Sequence, residues 1–158
     1  MAVGSALRAA RGNRHAGRAA VLQPDDPVGA LVAHASGPKG TGIGGGAMVD
    51  GNLVHGLVHP EMGHMRLQRD IELDPFEGCC PFHGSCLEGL ASGTAIEMRW
   101  NQRADTLEFD HPAWDLEADY IAQGLHILIC VFSPQRIILG GGIMNQSQLF
   151  PKVRKKVL

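Results

Sequence analysis

The stretch Cys80-Pro81-Phe82-His83-Gly84-Ser85-Cys86-Leu87-Glu88-Gly89 packs three soft or borderline metal ligands into seven positions and then runs directly into a helical pattern. A C-x2-H-x2-C spacing can wrap one face of a tetrahedral ion. A fourth ligand is needed. His64 stands 16 residues upstream, with Cys79 and His59 as competitors. Thiolate and imidazole select zinc over magnesium or calcium. Four protein ligands leave no open position, so the zinc is expected to be structural and to hold a loop. The bland alternative is three unlinked buried side chains. His59 to His64 does not read H-E-x-x-H, which removes support for a zinc protease.

Two carboxylates flank these ligands. Glu61 lies three residues before His64 and Glu88 two after Cys86. Tethered near one ion, they can bind sugar hydroxyls or take part in acid–base chemistry. The competing reading makes Glu61 a solvated charge and Glu88 a helix N-terminal acid favoured by the macrodipole. From Leu87 the pattern predicts a helix to Arg103, with Leu87, Leu90, Ala91, Ala95 and Met98 on one face. A second helix is expected over 116–131, with Asp115 as N-cap, Leu116, Tyr120, Leu125, Leu128 and Val131 inward, and Ser133-Pro134 as its stop. A third is expected over 147–158, where Pro151 is tolerable in the first turn.

Upstream, Gly40-Thr41-Gly42-Ile43-Gly44-Gly45-Gly46 has five glycines in seven positions. It reads as a loop whose backbone N–H groups can converge on a phosphate, with the Thr41 hydroxyl adding a donor. It lacks the Gly-Lys-Ser/Thr ending of a P-loop, and a hairpin rather than a helix follows it. Residues 47–55 form that hairpin, with Asp50-Gly51 as the turn. Residues 56–74 are mixed, with a strand expected near Met65 to Gln68. Arg136-Ile137-Ile138-Leu139 reads as a buried strand closed by Gly140-Gly141-Gly142. Hairpin, helices, strand and helix in this order make an α/β fold.

Composition narrows the rest. The 158 residues suit one domain, and 44% hydrophobic content supports a core. A formal net charge of −2 gives no basic field for nucleic acid. No apolar run approaches the roughly 18 residues of a membrane span, so a soluble cytoplasmic protein is expected. Cys79, Cys80, Cys86 and Cys130 are too few for a disulfide scaffold and read as reduced thiols. Residues 1–38 read as a poorly defined or disordered leader. Arg8, Arg11, Arg14 and Arg18 without an acid before Pro24 also fit an organellar transit peptide. Pro24-Asp25-Asp26-Pro27 marks a break, and Val28 to His34 is an apolar run of undetermined type.

Residues 40–46, 49–56, 59–64, 80–89 and 137–143 together resemble the ROK family of sugar kinases, in its bacterial fructokinase branch. The resemblance covers about three quarters of the chain. It implies an actin-like, ribonuclease-H-like fold, with residues 39–158 forming the C-terminal lobe. By the same resemblance Glu61, His64 and Glu88 bind the sugar, and His64, Cys80, His83 and Cys86 hold zinc. Gly40, Thr41, Gly42, Gly44 and Gly45 flank the phosphates, and Gly140, Gly141 and Gly142 lie on the adenosine side. Fructose or a related hexose and Mg-ATP are the implied ligands, with a homodimer as a further expectation.

The departures from the family carry as much weight. Its opening strand with an Asp-x-Gly-Gly-Thr phosphate loop is not found. Its catalytic aspartate has no match, since Asp25 and Asp26 sit in an unrelated Pro-flanked context and are not assigned the role. Residues 34–39 are read as replacing the strand that feeds the glycine segment. The chain therefore reads as a lobe cut short at both ends. The expected function is ATP-dependent phosphorylation of fructose to fructose 6-phosphate, with little activity in this chain by itself. The alternatives are a catalytically dead sugar- and nucleotide-binding lobe and a ROK repressor, whose helix-turn-helix is not seen in residues 1–39.

Overall fold

Asp50 and Gly51 turn the chain as predicted. Both sit at positive φ, 50° and 75°, which a two-residue type I′ hairpin turn requires. The computed structural model describes residues 7–9, 28–35 and 42–157. The turn joins β3 (Gly42–Val49) to β4 (Asn52–Leu53). Together with β1 (Leu7–Ala9), β2 (Val28–Ala35) and β5 (Arg136–Gly140), they form a five-stranded sheet in the order β1-β5-β2-β3-β4. β5 runs parallel to both β1 and β2, while β2 and β3 pair antiparallel from Val28↔Val49 to Ala35↔Gly42.

This sheet corrects two expectations. Residues 42–46 are strand, not loop, because every one of them has a Cα partner on β2. The strand leading into the glycine segment is also not replaced, because Val28–Ala35 supplies it. The remaining leader, including Asp25 and Asp26, lies outside the described residues, as do Gly40, Thr41 and Leu158.

The helical half follows the predicted order with shifted boundaries. The expected helix 87–103 is two, α1 (Leu87–Ala91) and α2 (Gly93–Trp100). Ser92 lies between them in an extended conformation, and its hydroxyl accepts the Ala95 N–H, starting α2 with an N-cap. Asn101 in the left-handed region ends α2. α3 spans Ala113–Phe132, longer than predicted, so Asp115 lies in its first turn rather than at the N-cap. Ser133 stops it at φ 45°, donating its N–H to Ile129 O. α4 spans Leu149–Val157. No strand forms at 65–68. Arg66 makes a single bridge to Cys86.

Leu87, Leu90, Ala91 and Ile96 from the first two helices meet Trp114, Tyr120, Leu125 and Leu128 of α3, Leu149 and Val153 of α4, and Ile43, Ala47, Ile137 and Leu139 of the sheet in one core. Met98 and Val131, expected inward, are 60% and 66% exposed. The break at Ser92 re-phases the turns beyond it and carries Met98 off the apolar face. Val131 lies on the last turn of α3. No helix among the described residues is long and apolar enough to cross a membrane.

Candidate metal centre and ligand-binding face

Two glycines set the backbone from which the site is built. The 3-10 turn Met62–His64 lies directly on β3, and a Cβ on Gly63 would fall 1.8 Å from Ile43 O. Only glycine permits that approach. Gly89 does the same in α1, where a Cβ would fall 1.8 Å from Gly84 O. The loop closes through Cys80 and Gly84, which exchange backbone hydrogen bonds of 3.3 and 2.9 Å. Leu87 N–H donates to Met65 O at 2.9 Å, which ties the His64 segment to the start of α1.

These constraints bring His64, Cys80, His83 and Cys86 together, with their ligand atoms all within 4.8 Å of one another. His64 Nδ1 lies 3.6 Å from both Cys80 Sγ and Cys86 Sγ, and His83 Nδ1 lies 3.8 Å from Cys80 Sγ. Ligands at about 2.0–2.3 Å from a tetrahedral zinc are separated by about 3.5 Å or slightly more, so the donor set fits that ion in both chemistry and spacing. The competitors fall away. Cys79 Sγ faces Ser92 Oγ at 3.7 Å, and His59 is exposed and paired with Glu61 at 2.9 Å. Burial pushes the Cys86 thiol up to about 11; the Gly89 N–H opposes this and the neighbouring Cys80 adds to it. The Cys86 thiol, so raised, holds its proton, and a bound cation would release it.

The carboxylates converge on the same strand. Glu88, in the first turn of α1, accepts the Ile43 N–H at 3.1 Å. Gly63 packs on the carbonyl of that residue, so both carboxylate-bearing segments are anchored at Ile43. Glu61 is exposed, and its carboxylate lies 4.0 Å from His64 Nε2, the nitrogen turned away from the sulfurs.

Beside Glu88, β3 presents a bare face. A Cβ on Gly42 would meet the Glu88 carboxylate at 2.6 Å, and on Gly44 or Gly46 it would meet nothing within 4 Å. Gly45 faces the other way, with Ile43 and Ala47, by strand alternation. Gly140 likewise opens onto free space. Gly44 and Gly140 are both register partners of Ala33, so the two glycine segments lie in one row across β3, β2 and β5. Gly141, at φ 99°, turns the chain out of β5, and Gly142 leads into the 3-10 turn Ile143–Asn145. This row is invisible in sequence because it depends on sheet order.

Sequence reading also missed a buried network behind the metal loop. Asp74 receives Arg99 Nε at 3.0 Å and the Tyr120 hydroxyl at 2.5 Å, while Arg99 Nη2 donates to Leu90 O at 2.9 Å. Burial and the Asp74 carboxylate push the Tyr120 phenol up. Nearby on α3, Glu117 is fully buried with neither oxygen hydrogen-bonded to the protein, and burial raises its carboxyl well above the usual range against a smaller opposing effect of Arg99. A cleft of about 830 Å³, lined in part by Leu73, Phe76, Met98, Trp100 and Tyr120, opens beside this network and shares no residue with the metal group.

Residues 39–158 match the ROK family. The chain belongs to that family. A protein of Bacillus subtilis (strain 168) is 51% identical over 118 residues, covering 75% of this chain and 39% of that one. The fructokinase of Pediococcus pentosaceus is 45% identical over 117 residues, covering 74% and 40%. The chain thus spans about two fifths of the length of the curated relatives it matches. A ROK glucokinase from Streptomyces griseus, solved with glucose and AMPPNP, superposes with a TM-score of 0.62 at 23% identity, covering 84% of this chain and 50% of that one. The fold is that of the actin-like sugar kinases, as the resemblance implied.

Proposed function

We propose that this ROK chain carries the sugar-, nucleotide- and zinc-binding elements of a fructokinase-type kinase, which transfers a phosphoryl group from Mg-ATP to fructose and yields fructose 6-phosphate. One observation carries the reading: the two ring nitrogens of His64 face different groups. Its Nδ1 faces the sulfurs of Cys80 and Cys86, while Nε2 faces Glu61. A metal held there would orient the imidazole and fix which nitrogen meets a substrate hydroxyl. Zinc, bound by four protein ligands, would be structural. The Glu61 and Glu88 carboxylates accept hydrogen bonds from sugar hydroxyls. The bare glycine face of β3 and the turn at Gly140–Gly142 let phosphates and nucleotide approach backbone N–H groups without a side chain between. The relatives named fructokinase and the glucose and AMPPNP bound to the Streptomyces griseus enzyme support these ligand classes. We place the protein in the cytoplasm on the same grounds.

No residue is assigned as catalytic base. Loss of general base catalysis costs about 10²–10⁴-fold, and the two lobes of such a kinase must close on substrate together. The 158-residue chain alone is therefore expected to bind fructose but phosphorylate it poorly, which keeps a purely binding lobe as the second reading. A coupled assay of ADP release with fructose tests this. Turnover within about tenfold of the roughly 10 s⁻¹ typical of enzymes would overturn the expectation of low activity and return Asp25 and Asp26 to consideration. Fructose binding in calorimetry that is unaltered by Glu61→Gln would overturn the sugar assignment itself.

A further inference from the structure

α3 carries two more ligand-type side chains outside the four-residue group. His126 and Cys130 are four residues apart and so share a helical face, and both are exposed. His126 Nε2 lies 3.6 Å from Cys130 Sγ. The same 3.6 Å separates His64 Nδ1 from the sulfurs of Cys80 and Cys86. Bonds of about 2.0–2.1 Å to nitrogen and 2.3 Å to sulfur, opened at a tetrahedral angle, give this separation.

A second observation concerns position. The pair occupies the last two turns of a 20-residue helix whose final turn contains no basic residue. The terminal carbonyls of such a helix place about half a negative charge at that end. The Ser133 N–H takes the Ile129 carbonyl, and no side-chain cation of the last turn answers the rest. A cation beside His126 and Cys130 is therefore favoured by the helix as well as by its two ligands.

We propose that His126 and Cys130 form a second metal site, a two-ligand clasp for a borderline-soft divalent cation of the zinc class. Water fills the remaining positions. On binding, the thiol releases its proton to solvent as the sulfur–metal bond forms. With two protein ligands instead of four, this site fills after the His64–Cys86 group and exchanges its ion more readily.

Zinc titration of the full chain against a chromophoric chelator tests the assignment, comparing the unaltered protein with His126→Asn and Cys130→Ser. The unaltered chain should take up one more zinc ion than either variant. Each substitution should weaken that additional equivalent by at least the tenfold or so that loss of a merely supporting partner costs. The count is a difference between proteins, so it is readable whatever the occupancy of the four-ligand group. Both side chains are exposed, so the variants should melt like the parent. Cobalt(II) gives an independent readout, since the thiolate-to-metal absorption should be smaller in Cys130→Ser than in the parent. Equal zinc uptake by all three proteins, or equal cobalt absorption, would overturn the proposal.

Discussion

Two clusters hold the irregular segment between β4 and α1 against the helices, and they do so by different chemistry. Around Asp74, the carboxylate meets the Arg99 guanidinium and the Tyr120 hydroxyl, so charge and hydrogen bonds are satisfied within the protein. Around His64, two thiols and two imidazoles face one another with no cation of the chain among them. The first cluster is complete as folded. The second would be completed by the proposed ion. The difference separates stability that belongs to the chain from stability supplied by a ligand.

The largest expected effect comes from removing the metal. Chelation should release much of the folding free energy at the loop, which for structural zinc in small peptides is about 10–16 kcal/mol. Hydrogen exchange should then rise at Gly63–Met65 and Cys79–Glu88, while the Asp74 side and α3 stay protected. Unchanged exchange after chelation would make the two clusters equivalent. Next comes the Asp74 side. Asp74→Ala leaves the Arg99 charge buried and uncompensated, which costs about 3–5 kcal/mol. Denaturant unfolding should show this loss with or without chelator. A loss that disappears when the metal is removed would show that the clusters are one unit.

A smaller effect separates the clusters by function. Glu61→Gln should weaken fructose binding about tenfold, the scale of one hydrogen bond to a charged group, whereas Glu108→Gln should leave it unaltered in calorimetry. Chelation should weaken fructose binding too, because it frees the His64 ring, and Asp74→Asn should affect it much less. The smallest effect concerns Glu117. Its folded carboxyl titrates well above the ordinary 4.5, so the folded state holds a proton that the unfolded chain gives up. Its contribution is therefore fully present below about pH 4.5 and is lost as pH rises toward the folded value. Glu117→Gln, which is neutral at every pH, should remove that part of the pH dependence of the melting temperature and make the protein more stable than the parent at neutral pH.

What could be read in advance follows the range of the interactions. Cys80, His83 and Cys86 were legible because their spacing is local, and Asp50-Gly51 because a turn needs only its own residues. β5, α3 and α4 followed from periodicity. The strand at Gly42–Gly46 was not legible, since five glycines in a row of seven have little strand propensity of their own. Pairing with β2, itself an undetermined apolar run in sequence, makes it a strand. Asp74, Arg99 and Tyr120 lie 25 and 46 residues apart, beyond any local pattern. Spacing alone leaves the fourth metal ligand open among His64, Cys79 and His59; the resemblance points to His64, and the close approach of Gly63 to Ile43 brings it to the sulfurs. The break at Ser92 carries no Pro to mark it: the backbone N–H of Ser92 closes α1 on Glu88 O, while its hydroxyl begins α2.

The metal content of the chain is the most direct measurement. Elemental analysis of the purified chain in the His126→Asn/Cys130→Ser background, where only the four-ligand group remains, should find about one zinc per chain. Adding Cys80→Ser and Cys86→Ser to that background should reduce zinc to trace levels. Equal zinc with and without the two serines, or none in either protein, would contradict the claim that His64, Cys80, His83 and Cys86 hold an ion that closes the loop before α1.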